Sequence, residues 1–109
     1  MKKLQFTYNG KEYTLEFTKN TVQQMERNGF IAADINDKPM LTLPELFRGA
    51  FLANHRFVKR EVVEEIYEHM TNKPELIGKL AEMYNEPIES LVKDPDENDE
   101  GNVSWTASW

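Results

Sequence analysis

The chain has 109 residues, enough for one compact domain with a modest core, and its 39% hydrophobic and 29% charged residues describe a soluble globular protein. It has no cysteine, which excludes a disulfide framework, a thiol nucleophile and a cysteine zinc site. No run of about 18 apolar residues exists, and the basic start Met1-Lys2-Lys3 leads into polar Gln5, Thr7 and Asn9, so neither a membrane span nor a signal peptide is expected.

The net charge of −6 is unevenly placed. Residues 94–109 hold Asp94, Asp96, Glu97, Asp99 and Glu100 with no base, leaving 14 acids against 13 bases in residues 1–93. A nearly neutral body with an acidic tail argues against a nucleic-acid binder, which needs positive surface to displace counterions from phosphates.

Residues 3–17 predict a β-hairpin. Leu4, Phe6 and Tyr8 alternate with polar residues, as do Tyr13, Leu15 and Phe17. Asn9-Gly10 between the two runs tolerates the positive φ angles of a type I′ turn. A two-residue loop sets Tyr8 opposite Lys11, Phe6 opposite Tyr13 and Leu4 opposite Leu15, with all apolar side chains on one face. That face needs helices to cover it.

Thr18 is placed to cap a helix running through Val22 and Met25 to about Asn28. Gly29 and Phe30 then suit a Schellman ending. Residues 31–41 read as a loop, and Asp34-Ile35-Asn36-Asp37 within it lacks the glycine and distal glutamate of a calcium site. Thr42-Leu43-Pro44-Glu45 reads as a capping box before Leu46, Phe47, Ala50 and Phe51 at helical spacing. A second stripe, from Val58 through Val62, Val63, Ile66 and Tyr67 to Met70, predicts a helix over about 58–70. Asn72-Lys73-Pro74-Glu75 opens a further helix, with Glu86-Pro87 as its interruption and Ile88, Leu91 and Val92 as a final apolar turn. The expected fold is α+β, mainly α: one N-terminal hairpin packed on four or five short helices. The domain spans residues 1–93, and residues 94–109 form an acidic tail, mobile by composition, that ends in Trp105 and Trp109.

Few residues suggest chemistry. Glu65 and His69 share a helix face, a spacing that suits a metal or a general-base couple. No third ligand, serine elbow or phosphate loop accompanies them, so a surface pair is the simpler reading, and no enzyme, metal or cofactor is expected. His55-Arg56-Phe57-Val58-Lys59-Arg60 is the one basic cluster with an aromatic inside it, and it supports an alternative reading as a small regulatory module binding nucleic acid through residues 55–60. Glu61, Glu64, Glu65 and Glu68 follow at once, with Glu64 placed to pair with Arg60, and favour a solvated helix start instead. Phe47 and Phe51 read first as core. Trp105 and Trp109 lie outside the body, where they dock either on the chain's own surface or on another molecule.

A wider pattern spans nearly the whole chain. It runs through Tyr13-Thr14-Leu15-Glu16-Phe17-Thr18, Thr21-Val22, Met25-Glu26 and Gly29-Phe30, then Asp37-Lys38-Pro39 and Leu46-Phe47 with Gly49-Ala50-Phe51. Leu76-Ile77, Leu80-Ala81-Glu82-Met83-Tyr84 and the closing aromatic tail complete it. This pattern resembles the tail assembly chaperones of long-tailed phages and prophages of Gram-positive bacteria. The resemblance implies a mostly helical, non-enzymatic, homo-oligomeric protein in the cytoplasm of the bacterial host. Its partners would be the apolar helices of the tape-measure protein, held until tail-tube subunits polymerise around them. It carries no catalytic motif. On the physical side, such a role needs an apolar groove among the helices, expected near Phe47, Phe51, Trp105 or Trp109.

Overall fold

A computed structural model of the chain describes residues 2–98 and 100–109; Met1 and Asp99, one of the acids of the tail, lie outside the described residues. Strands β1 (Leu4–Tyr8) and β2 (Lys11–Leu15) pair antiparallel in the register the alternation predicts, from Leu4 opposite Leu15 to Tyr8 opposite Lys11. Asn9 and Gly10 both have positive φ, as a type I′ turn requires. Four helices follow: α1 (Lys19–Arg27), α2 (Pro39–Gly49), α3 (Arg60–His69) and α4 (Lys73–Val92). The architecture is therefore α+β and mainly α.

Local chemistry explains most of the boundaries. Thr18 and Thr21 form a reciprocal cap at the start of α1, each hydroxyl accepting from the other residue's backbone N–H. At its end, the Gly29 N–H donates to the Glu26 carbonyl and the Phe30 N–H to the Met25 carbonyl, the two bonds of a Schellman motif. Two expectations need correction. Helix α2 begins at Pro39, after a short 3-10 turn over Ala32–Ile35, so Thr42 is a buried residue inside the helix and not its cap. Pro39 occupies the first turn, where a missing N–H leaves no carbonyl unpaired. Helix α4 runs unbroken through Pro87, which is buried, and the Ser90 hydroxyl donates to the Pro87 carbonyl at 2.7 Å. One forfeited ladder bond is thus absorbed within a packed helix.

The hairpin's apolar face, α2 and the inward stripes of the other helices close one core around Leu15, Phe47, Phe51, Ile66 and Leu80. Helix α2 is central and packs on α1, α3 and α4. Aromatic rings connect the layers: Tyr13 lies 5.8 Å edge-on to Phe51, Phe51 lies 5.2 Å from Phe47, and Phe47 lies 5.0 Å from Tyr67. Each such pair adds about 0.5–1.5 kcal/mol beyond simple burial. Where α1 crosses α2, Gly49 lets the Met25 thioether lie directly on the helix backbone.

The two edges of the sheet are treated differently. Around a two-residue loop, the backbone groups of Thr14 and Glu16 point outward from β2. The turn after α2 covers them. Glu16 N–H donates to the Ala50 carbonyl at 3.1 Å, Thr14 N–H donates to His55 Nε2 at 3.0 Å, and the Asn54 amide donates to both the Thr14 carbonyl and Glu16 Oε2. Among the described residues, strand β1 pairs only with β2.

Candidate functional site

Among the described residues, no group of three or more His, Asp or Glu side chains converges in a way that could hold a metal ion. The His69 ring nitrogen lies against the Glu65 main-chain carbonyl at 2.9 Å, not its carboxylate, and the ring packs beside Tyr8. Asp34 uses its carbonyl oxygen to accept from Asp37 and Lys38 and hold the 3-10 turn. The basic cluster is dispersed. His55 is tied to β2, and Arg60 pairs with Glu45 across to α2 at 3.3 Å, not with Glu64. Arg56, Phe57 and Lys59 remain exposed. No described helix is long and apolar enough to cross a membrane.

The aromatic candidates separate cleanly. Phe47 and Phe51 are only 1% and 2% exposed, so the groove expected beside them is closed and both rings serve the core. Trp105 and Trp109 are 81% and 103% exposed. They do not fold back on the body, and every described residue from Lys93 to Trp109 is exposed. The overall dimensions carry the same message: the radius of gyration is 16.8 Å and the long axis 56 Å, against about 13 Å for the radius of a compact chain of this length.

The tail leaves from the final apolar turn of α4, which is exposed. Tyr84 and Pro87 are the last buried residues of α4, and beyond them Leu91 and Val92 are 69% and 86% exposed. The signal was present in the sequence, because a helix that continues past its last partner leaves its stripe uncovered. A separate cleft of about 470 Å³ lies between the end of α1, the 3-10 turn and α2, walled by Met25, Phe30 and Leu52 with exposed Ile31 and Leu41 at its mouth. This cleft is of mixed character, with Gln24, Asp34, Glu45 and Arg48 also in its walls, and sits on the α1–α2 side, displaced from Phe47 and Phe51.

The sequence profile of one family matches residues 1–109, the full length described above. The chain belongs to the DUF5055 family, a domain of unknown function. No curated protein and no solved structure matches it. In this DUF5055 chain the exposed apolar features among the described residues include two indoles on an acidic arm and the bare end of α4.

Proposed function

We propose that this DUF5055 chain is a tail assembly chaperone of a long-tailed phage. It holds apolar helical segments of the tape-measure protein, with tail-tube subunits as a second client, in the host cytoplasm. The observation that carries this reading is the exposure of Trp105 and Trp109 at the end of an acidic arm, next to the uncovered apolar end of α4. A holding protein must present apolar anchors without precipitating, and Asp94, Asp96, Glu97 and Glu100 surround these anchors with like charge. Indoles are the side chains that most often anchor an interface. The 470 Å³ cleft, partly apolar through Met25, Phe30, Ile31, Leu41 and Leu52, supplies a second contact for one face of a client helix. The resemblance in sequence pattern supports the same reading.

Co-expression with the tape-measure protein of the same phage tests it. The full chain is expected to keep the tape-measure protein soluble and to co-purify with it, and Trp105→Ala with Trp109→Ala to lose most of that recovery while melting unchanged. A tape-measure protein equally insoluble with and without the full chain would overturn the reading.

A further inference from the structure

Three features outside that reading meet at the open edge of the hairpin. The outward backbone groups of Gln5 and Thr7 on β1 have no hydrogen-bond partner among the described residues, whereas those of Thr14 and Glu16 along the β2 side are covered. Alongside the start of that edge, between β1 and the first half of α4, lies a cleft of about 590 Å³ walled by Leu4, Leu76 and Met83. Lys2, Lys3 and Lys79 line its rim with Glu75 and Glu82, and Lys2 and Lys3 pair with Glu82 and Glu16 at 3.6 Å. The third feature is the tail itself. Val103, Trp105, Ala107 and Trp109 alternate with Ser104, Thr106 and Ser108, a strict two-residue period over the last seven residues, in a segment that forms no strand of its own. That is the pattern of a strand with one apolar face.

We infer that residues 103–109 add as a third strand to the outer edge of β1 in a second copy of this chain, with an indole seated in the cleft beside Leu4. Strand addition of this kind draws affinity from main-chain hydrogen bonds and selectivity from pockets that take alternate side chains. Here the alternate side chains are Val103, Trp105, Ala107 and Trp109, which continue the apolar face that Leu4, Phe6 and Tyr8 turn toward the helices. The arm of residues 93–102 spans at most about 36 Å, ample for the edge of a neighbouring molecule. The occupant is a second copy because the chain's own tail stands clear of its body while its own edge stays open. Each copy then offers both a strand and an edge, and reciprocal exchange closes a dimer.

The chain's two tryptophans both lie in the segment, so their fluorescence reports docking directly. Purified full-length protein, with no phage protein present, is followed by emission maximum and by light-scattering mass across a dilution series. The expected result is emission that moves to the blue as the mass doubles. Thr106→Pro with Ala107→Pro is expected to weaken self-association about tenfold or more, since one of two adjacent N–H groups faces the edge in either register. Gln5→Pro removes an outward N–H from the receiving edge and is expected to act alike; the tail variant, outside the packed body, keeps the test valid if Gln5→Pro misfolds. Solvent-exposed emission and monomeric mass at all concentrations overturn the proposal. So does blue emission in a monomer, which means docking on the chain's own edge. Self-association indifferent to the tail prolines overturns strand addition. Because no client takes part, this outcome is independent of the chaperone reading.

Discussion

His55 Nε2 accepts a hydrogen bond from the backbone N–H of Thr14 at 3.0 Å, across 41 residues of sequence. Only a neutral imidazole with its proton on Nδ1 accepts there. Burial of the ring, with Lys11 adding positive charge nearby, holds its pKa below the usual histidine value. The unfolded chain, with a histidine pKa of about 6.5, therefore binds the proton more readily than the folded one. The bond contributes fully above that value, and its contribution is lost as pH falls through 6.5 toward the lowered folded pKa. Melting temperature is expected to fall between about pH 7 and pH 5, and His55→Ala to flatten that fall while costing about 1 kcal/mol at neutral pH. An unchanged slope in the variant's melting curves would show that other groups set the pH response.

Gly49 tests the crossing of α1 over α2. A Cβ at this position would strike the Cε and Sδ atoms of Met25. Gly49→Ala should gain helix propensity and yet lose about 1–3 kcal/mol from overpacking. Met25 is the flexible partner, so adding Met25→Ala should cost less in the Gly49→Ala background than in the wild type. Urea denaturation of the four proteins measures the coupling, and strict additivity contradicts the close approach.

Gly10 tests the turn. Its φ is +78°, and no atom lies within 4 Å of where a Cβ would sit. The cost of Gly10→Ala is therefore backbone strain alone, about 1 kcal/mol, and Gly10→Asn should cost less because asparagine tolerates the left-handed region. Equal losses for Ala and Asn in thermal melts would locate the effect elsewhere.

Phe47 and Trp105 should behave as opposites. Phe47→Ala empties a buried site and is expected to lower stability by about 3–5 kcal/mol. Trp105→Ala touches nothing in its own body and is expected to leave the melting temperature unchanged at concentrations where the chain is monomeric. A destabilised Trp105→Ala variant would mean that the indole packs on the body in solution.

These contrasts mark what the sequence discloses. The hairpin was legible down to its register because alternation and Asn9-Gly10 are local and agree, and the Thr18 cap and Gly29 ending are equally local. The start of α2 misleads because Thr42-Leu43-Pro44-Glu45 has the chemistry of a cap, while Pro39 and the turn ahead of it decide the outcome. Pro87 reads as a break until its burial is known. The tie from His55 to Thr14 and the seat of Met25 on Gly49 depend on residues far apart in sequence, beyond any local pattern. For the candidate site, the two tail indoles were legible by position alone, since composition placed them outside the body. The burial of Phe47 and Phe51 agrees with their first reading as core on a helical stripe, whereas the closing of the groove expected beside them depends on how the helices pack.

The arm between Val92 and Val103 also sets a concentration. A ten-residue random coil has a root-mean-square span near 16–19 Å, and like charges lengthen it. An indole that catches any surface therefore presents that surface to the rest of the molecule at an effective concentration in the millimolar range. Two contacts, each too weak to persist alone, then become a durable hold, and releasing either one begins the release of both. Doubling the arm would dilute the second contact about threefold without touching a residue that makes it.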